Sequence, residues 1–389
     1  MIDTFKFDAV VNWLLAGAPP KAPLNDTIAE LSRRLIAAGL PVDILELYLI
    51  TINPMIMGSV YFWTKGKGAQ VLRFTHAQMA SDLHVGTVQH SVIETGRMIR
   101  VRMDTASPFD ANAFIQTKRS RGYTDYIMCP LFGRFTPNSA FALGTKRAGG
   151  FTDDEITAFR RLQTPIAHFT ETEILYQNTV TMLSTYVGRG AGEQVMNGRI
   201  LRGHAENITA VILFADLRNF TALSNSLPPE RIIATLNTYF EAMDSAIRAN
   251  GGETLKFIGD GLLAIFPTVD ELTAQAAAAM GAISALDDAR AALAAEAAEA
   301  AGAPEIDFRA ALHLGDIHYG NIGSATRLDF TAVGPAVNLT SRLLLASAEL
   351  GAPTVCSDAF APLARLRCAP ARVFEFKGFA EPVMVHTVV

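Results

Sequence analysis

The chain has 389 residues and a formal net charge of −5; half of its residues are hydrophobic and 18% are charged. This composition is that of a globular protein and excludes a disordered one. The acidic balance argues against a nucleic-acid partner, because proteins that bind nucleic acids usually present a basic surface. The length allows two or three domains, each with its own core.

Cysteine spacing and hydropathy exclude further classes. Cys129, Cys356 and Cys368 have no metal-ligand spacing and are odd in number, so we expect no disulfide framework. The longest apolar stretch, residues 45–63, is interrupted by polar residues and by Pro54, and falls short of the roughly 20 apolar residues of a membrane helix. We therefore expect a cytoplasmic protein in a reducing environment, without membrane insertion.

Two helices are predicted at the start of the chain. Apolar residues recur at helical spacing within residues 5–15 and again in the segment before Gly39. Asn25 or Asp26 is suited to cap the second helix, and Gly39 is suited to end it. The helices are therefore predicted to precede the first strands.

Residues 45–74 are rich in β-branched and aromatic side chains, which predicts strands. Boundaries between these strands are expected at Gly58 and at the Lys-Gly-Lys-Gly turn of residues 65–68. Further along, the short basic run at residues 118–121 is flanked by polar residues. We interpret it as a solvated loop, because charged side chains are mostly exposed.

Two strands and a capped helix are predicted between residues 120 and 170. The strands begin near Tyr123 and Ser139, and Thr-Asp-Asp-Glu at residues 152–155 has the form of a capping box. This order is similar to the last third of a GAF domain, a small α/β sensor fold. The resemblance implies that residues 1–152 form a GAF-like sensor domain. Its ligand, a small molecule or a protein, is not identified by any motif.

An apolar repeat runs through the helix predicted for residues 153–187. Nine positions from Phe159 to Val187 are spaced alternately three and four apart, and eight of them are apolar. A seam of this period predicts a coiled-coil signalling helix and hence a parallel dimer. The alternative is a single amphipathic helix packed on its own domain, since Pro165 would kink the seam and Glu173 interrupts it.

A glycine-rich segment separates this helix from the remaining α/β pattern. No strand precedes the glycines of residues 188–198 and no Gly-Lys-Ser/Thr follows them, so they do not form a phosphate loop. We interpret residues 188–208 as a hinge or coupling element. Residues 209–389 then give the order β-α-β-β-α-β with additions, which predicts a ferredoxin-like domain.

Two carboxylates are predicted at the ends of neighbouring strands. Asp216 follows the apolar run of residues 210–214, and Asp260 lies at the tip of a hairpin predicted for residues 254–266, with Asp260-Gly261 as its tight turn. An aspartate in a Gly-Asp-Gly sequence is by itself ordinary turn chemistry. Side by side, however, the two carboxylates could share divalent cations, which prefer oxygen ligands.

Three ordered motifs carry a resemblance to a known family. They are Phe-Ala-Asp-Leu-Arg-Asn-Phe-Thr from Phe214, Lys-Phe-Ile-Gly-Asp-Gly from Lys256, and Asp-Phe-Thr-Ala-Val-Gly-Pro-Ala-Val-Asn-Leu-Thr-Ser-Arg from Asp329. In this order they resemble the class III nucleotidyl cyclases. The resemblance implies an α+β chain in which residues 209–389 form a ferredoxin-like cyclase catalytic domain, preceded by the coiled-coil linker and the α/β GAF-like domain.

The same resemblance implies the roles of individual residues. Asp216 and Asp260, with the backbone carbonyl of Leu217, would bind two Mg²⁺ or Mn²⁺ ions per site. Asn338 would orient the ribose, and Arg342 would stabilise the charge that develops on the α-phosphate. Their separation of four residues puts both on one face of a helix. The alternative for this pair is a capped helix with a surface salt bridge.

Base recognition is implied for Lys256 and Thr331. Lys256 lies four residues before Asp260, where related adenylate cyclases carry the lysine that donates to adenine N1. Thr331 matches a position filled by Asp or Thr in ATP-specific members. Guanylate cyclases generally carry an acidic residue at the lysine position, so ATP is favoured. Lys377, in a Phe-Lys-Gly sequence, matches a lysine that binds the triphosphate in related enzymes.

The implied function is that of an adenylate cyclase, which converts ATP to 3′,5′-cyclic AMP and pyrophosphate by two-metal catalysis. In this family each site forms between two subunits, so a homodimer is expected, regulated by the N-terminal sensor. One alternative is a guanylate cyclase, which Lys256 disfavours. Another is a non-catalytic nucleotide-binding regulator, which should lack a metal-binding aspartate or the Asn/Arg pair.

Overall fold

The computed structural model describes residues 2–17, 23–79, 86–133, 138–299 and 306–389. The chain divides into two units, Met1–Thr181 and Met182–Val389. Within the described ranges, no helix is long and apolar enough to cross a membrane.

The N-terminal unit is an α+β unit built on one antiparallel sheet. Its elements are, in chain order, α1 (Thr4–Leu15), α2 (Leu24–Ala37), β1 (Ile44–Ile50), β2 (Ile56–Thr64), β3 (Gly68–Thr75), α3 (His76–Met79), α4 (Val88–Thr95), β4 (Ile99–Arg102), α5 (Ala113–Ser120), β5 (Asp125–Leu131), β6 (Ser139–Thr145) and most of α6 (Asp153–Tyr186). The strands lie in the order β3-β2-β1-β6-β5-β4, and each neighbouring pair is antiparallel.

Helices cover both faces of this sheet. Successive side chains of a strand point to opposite faces, so Leu47 of β1 enters one core and Tyr48 enters the other. Helices α1, α2 and α6 close the first core, to which Ile28 and Phe159 belong. Helices α4 and α5 close the second, where Val92 is fully buried. The interior strands β5 and β6 are consequently buried along their whole length.

The local predictions for this unit are confirmed in part. The turn at residues 65–68 separates β2 from β3, as predicted. The second helix begins after Pro23, so Asn25 and Asp26 lie in its first turn and not at its cap. Gly58 lies inside β2, where the register with β3 shifts, and does not end a strand.

The interpretation of the basic run as a solvated loop is wrong. Residues 118–120 end helix α5, and Lys118 is only 5% exposed. Its ammonium group lies 2.5 Å from the Glu46 carboxylate of β1. A buried lysine requires such a partner, and this partner lies 72 residues away in the sequence.

The predicted capping box is confirmed. The Thr152 backbone N–H donates to the Glu155 carboxylate at 2.8 Å, and the Glu155 N–H donates to the Thr152 hydroxyl at 3.4 Å. Both contacts satisfy backbone donors that the first helical turn leaves free. Helix α6 accordingly begins at Asp153.

Helix α6 is continuous through Pro165 and has 34 residues. Phe159, Leu162 and Ile166, the first three positions of the predicted coiled-coil seam, are buried in the core of the N-terminal unit. This part of the seam therefore packs on its own domain. Tyr176, further along, is 59% exposed. The coiled coil and the parallel dimer remain predictions.

The C-terminal unit is organised around a long antiparallel pair of strands. Its elements, after the end of α6, are α7 (Arg189–Met196), β7 (Ala205–Leu217), α8 (Phe220–Ser226), α9 (Pro229–Ala249), β8 (Glu253–Ile258), β9 (Gly261–Thr268), α10 (Leu272–Glu299), β10 (Phe308–Gly323), β11 (Leu328–Val333), α11 (Pro335–Leu350), β12 (Thr354–Ser357), β13 (Cys368–Phe374) and β14 (Val383–Val388). The sheet order is β13-β14-β12-β10-β7-β9-β8, and β11 pairs with β10. The predicted order β-α-β-β-α-β is present as β7, α9, β8, β9, α10 and β10.

Alternating burial fixes the two faces of this sheet. Leu213 of β7 packs with Met243 of α9 and Ile283 of α10 in a core on one face. Ile212, the preceding residue, packs with Val337 of α11 on the other. The strands of the central pair are therefore held from both sides, which keeps the strand ends in fixed positions.

The segment predicted as a hinge contains an ordered helix. Gly188, with φ of 99°, precedes α7, and the Gly190 N–H donates to the Glu253 carboxylate of β8 at 3.0 Å. A Cβ atom on Gly190 would lie 2.4 Å from that carboxylate. A larger residue at this position would therefore displace the Glu253 carboxylate.

Candidate active site

Strand pairing brings Asp216 and Asp260 together. Asp216, near the end of β7, pairs with Gly261 at the start of β9. Gly259 and Asp260 form the turn between β8 and β9, so the prediction of an Asp260-Gly261 turn is off by one residue. Gly259 has φ of 63°, which glycine adopts without strain. A Cβ atom on Gly261 would lie 2.8 Å from the Ala215 carbonyl oxygen, so a glycine is needed for this close approach.

The two carboxylates interact electrostatically. Burial, together with the charge and hydrogen bonding of Asp260, raises the pKa of Asp216 to about 6. The Arg309 guanidinium, 3.7 Å from the Asp216 carboxylate, and the Leu217 N–H act in the opposite direction. The net effect is that the ionised form of Asp216 is disfavoured until a cation compensates its charge.

The donor set fits a divalent metal that also binds substrate. Among the residues that the structure describes, no group of three or more His, Cys, Asp or Glu side chains could hold a metal ion. Mg²⁺ is commonly held by one or two carboxylates together with substrate phosphates and water, and Asp216 and Asp260 supply that number. The Leu217 carbonyl as a further ligand remains a prediction.

Two residues near this pair were not predicted from the sequence. The Arg309 Nε atom is buried and has no hydrogen-bond partner among the described residues, and the same holds for the Tyr239 hydroxyl. Burial raises the pKa of Tyr239 well above its usual range, and the charges of Asp216 and Asp260 contribute. Arg309 could have been noticed in the sequence, because it is a charged residue within the apolar start of strand β10. Nothing in the sequence distinguishes Tyr239 from a core aromatic residue.

The residues predicted to recognise the base lie on β8 and β11. The Lys256 ammonium group is 2.9 Å from the carboxylate of Asp329, a third residue that was not predicted to belong to the site. Thr331 follows two positions later on the same face of β11 and is 5% exposed. Its hydroxyl has no hydrogen-bond partner in the described part of the chain, which leaves it available to a ligand.

The remaining predicted site residues are exposed. Asn338 and Arg342 lie four residues apart on α11, as the sequence predicted, and Lys377 lies in the connection between β13 and β14. Within the described ranges, no hydrogen bond or ion pair joins these three side chains to Asp216 or Asp260. The structure of one chain thus brings the two carboxylates together and leaves Asn338, Arg342 and Lys377 facing solvent.

The C-terminal unit is similar to known proteins. The adenylate and guanylate cyclase catalytic domain family matches residues 203–364. An adenylate cyclase of Anabaena cylindrica is 33% identical over 141 residues, which cover 36% of this chain and 28% of that protein. Adenylate cyclase 1 of Rhizobium meliloti (strain 1021) is 28% identical over 188 residues, which cover 47% of this chain and 28% of that protein. The matches therefore span less than a third of either relative.

One solved structure resembles most of the chain in fold. It is described as a bacterial light-regulated adenylyl cyclase, with a TM-score of 0.50 and 16% identity, and the match covers 89% of this chain and 93% of the other. At this identity the likeness concerns the fold alone.

Proposed function

Residues 203–364 belong to the adenylate and guanylate cyclase catalytic domains, and from this premise we propose that the chain is an adenylate cyclase. It converts ATP to 3′,5′-cyclic AMP and pyrophosphate. One observation carries the reaction: the carboxylates of Asp216 and Asp260 meet where β7 and the β8–β9 turn adjoin, and burial together with Asp260 disfavours the ionised form of Asp216 without a cation.

The chain's own residues account for substrate binding and charge stabilisation. Asp216 and Asp260, once ionised, would hold two Mg²⁺ or Mn²⁺ ions. When bound, such ions acidify the ribose 3′-hydroxyl and neutralise the departing phosphates. Arg309, 3.7 Å from Asp216, has donors suited to phosphate oxygens. Arg342 stabilises the charge that develops on the α-phosphate, and Asn338 orients the ribose.

Lys256 supports ATP over GTP as the substrate. Its ammonium group is a donor, adenine N1 is an acceptor, and the corresponding nitrogen of guanine carries a proton. The ion pair with Asp329 holds that donor on the sheet edge. The unpartnered Thr331 hydroxyl adds a second group for the base, and Lys377 is assigned to the triphosphate.

Guanylate cyclase activity is the alternative within the same family, whose description includes both activities. The Lys256→Glu variant distinguishes adenylate cyclase activity from guanylate cyclase activity. A charge reversal at a base-reading lysine should lower kcat/KM for ATP by at least tenfold and leave kcat/KM for GTP unchanged or higher. If GTP were the better substrate of the unaltered chain, the assignment of Lys256 would be wrong.

The principal test is product formation by the purified chain with ATP or GTP, in Mg²⁺ and in Mn²⁺. Asp260→Ala should abolish cyclic AMP formation. Asp270→Ala is the matched control, because it removes the same charge from an exposed position after β9. Nucleotide binding at undiminished affinity without turnover, in every chain and with either metal, would refute the enzyme and support the non-catalytic regulator.

A homodimer with two shared sites is the second part of the proposal. Asp216 and Asp260 of one subunit would act with Lys256, Thr331, Asn338 and Arg342 of the other. Asp260→Ala and Arg342→Ala chains, each inactive alone, should regain activity when mixed, because one site of the mixed dimer is then intact. Continued inactivity of a mixed dimer shown to form would mean that each subunit builds its own site.

Regulation by the N-terminal unit is the third part. Over residues 120–170, the strands β5 and β6 and the capped helix α6 support a GAF-like sensor domain. The exposed apolar side chains of the second half of α6 support a parallel coiled coil. Analytical ultracentrifugation of the full chain tests the dimer, and Tyr176→Glu should weaken it.

A further inference from the structure

A cavity of about 340 Å³ lies in the N-terminal unit, on the sheet face covered by α4 and α5. Tyr48 and Val60 line it from the sheet, Val88 lines it from α4, and Phe114 lines it from α5. The volume is at the lower end of the range for small-molecule sites. The cavity is thus large enough for one small ligand.

The walls of this cavity are mainly apolar and aromatic. None of the described residues that line it carries a charge. Ser59 and Gln89 also line it, and neither side chain has a hydrogen-bond partner in the described part of the chain. Burying a charge without a counter-charge is costly, whereas a neutral ligand with one or two polar atoms can be satisfied by these side chains.

The buried charges nearest to the cavity neutralise each other. Glu46 accepts from Lys118 at 2.5 Å, from the Tyr126 hydroxyl at 2.6 Å and from the Tyr48 hydroxyl at 3.2 Å. The Lys118 ammonium group also lies 4.7 Å from the centre of the Phe114 ring. Tyr48 and Phe114 therefore stand between the cavity and a compensated ion pair, which offers no free charge to a phosphate or a carboxylate.

The cavity also has a connection to helix α6. Leu49 and Ile50 line it at the end of β1. Just beyond that strand, the Ile52 N–H donates to the Asn178 side-chain oxygen at 3.1 Å, and Asn178, on α6, is 7% exposed. A ligand that shifts the end of β1 must strain or release this partly buried hydrogen bond.

We propose that this cavity binds an uncharged, largely apolar small molecule, and that the contact between Ile52 and Asn178 transmits its binding to α6. The binding step is independent of the catalytic assignment; its regulatory consequence rests on the function proposed above. The chemistry of the described lining residues disfavours anionic ligands such as nucleotides in this cavity.

Two naphthalene dyes test the chemistry of the site on the full chain. Prodan is uncharged, and 8-anilinonaphthalene-1-sulfonate is an anion. We expect saturable binding of one prodan per chain with a blue-shifted emission, and no displacement by an equal concentration of the sulfonate. Non-saturable prodan binding would overturn the proposal, and so would displacement by the sulfonate.

Variants then locate the dye. Val60→Trp fills the cavity and should weaken prodan binding at least tenfold. Leu72→Trp is the matched control. Leu72 lies on β3 opposite Val60 of β2, is 54% exposed and does not line the cavity. Gln89→Trp, from the α4 side, gives the same test if Val60→Trp does not melt cooperatively. Equal prodan affinity in the filled and control variants would refute the location.

The transmission step is tested by activity. Saturating prodan should change the rate of cyclic AMP formation at least twofold in the unaltered chain. It should leave the rate of the Asn178→Ala variant unchanged. Because binding is measured without ATP, an inactive cyclase does not affect the binding result. Binding with an equal rate change in both chains would refute the role of Asn178.

Discussion

Replacing Asp216 by asparagine should make the metal-free protein more stable while abolishing its activity. Burial and the neighbouring Asp260 raise the pKa of Asp216 to about 6, above the ordinary value of 3.8. An acid whose pKa is higher in the folded state favours folding while it is protonated. That contribution is lost as the pH rises through the window between about 4 and 6. At neutral pH the ionised Asp216 carboxylate therefore opposes folding.

The expected increase in the free energy of unfolding follows from the size of the pKa shift of Asp216. A shift of about two pKa units corresponds to about 3 kcal/mol. Asp216 is 31% exposed, so solvent screening reduces this figure. The loss of the Arg309 contact reduces it further. We expect a net stabilisation of about 1 kcal/mol, which is about 2–4 °C in Tm for a domain of this size.

The assay is thermal and urea unfolding of the full chain in EDTA at pH 7.5 and at pH 4.5. Asp216→Asn should raise the stability at pH 7.5, and only about a third of that gain should remain at pH 4.5, where the acid is protonated in the folded chain but still mostly ionised in the unfolded chain. Asp270→Asn, the exposed control, should have little effect at either pH. A destabilised Asp216→Asn chain at pH 7.5, or an equal gain at both values, would refute the electrostatic reasoning.

Three further predictions concern the catalytic domain. Asp329→Asn should lower kcat/KM for ATP about fivefold through KM, and leave unfolding unchanged, because an exposed ion pair with Lys256 adds little stability. Burial lowers the pKa of His313 to about 4, so the unfolded chain takes up a proton between pH 6.5 and 4 that the folded chain does not. His313→Gln should therefore make unfolding less pH-dependent in that window, by up to about 3 kcal/mol. Gly190→Ala should destabilise the domain by about 1 kcal/mol in urea unfolding, because its Cβ would lie 2.4 Å from the Glu253 carboxylate, which must then move and lose the hydrogen bond from the residue 190 N–H.

The parts of the site that were predictable are those fixed by local patterns. A carboxylate after an apolar strand and another in a two-residue turn can be located from the sequence alone, because strand ends and tight turns have short-range signals. Asp216 and Asp260 follow this rule. The helical positions of Asn338 and Arg342 follow it too, because a separation of four residues fixes a common face.

The parts that were missed depend on partners distant in the sequence. Lys118 is buried because Glu46, on a strand 72 residues earlier, compensates its charge. Arg309 reaches Asp216 because the register of β10 and β7 pairs these two residues directly. Register follows from the packing of whole strands, so neither contact can be derived from composition or spacing.

The segment before the catalytic domain illustrates how this affects function. Residues 188–208 are predicted to form a hinge or coupling element, and within this segment Gly190 is the point where α7 contacts Glu253. Glu253 is held on its other side by the Tyr319 hydroxyl at 3.3 Å, and it begins the strand that carries Lys256 and leads to Asp260. Displacement of α7 would therefore act through one strand on Lys256, which we propose contacts the base, and on the turn that we propose binds the metal. Control of the cyclase at this point is expected to depend on the contact with Glu253, and not on the freedom of the glycines.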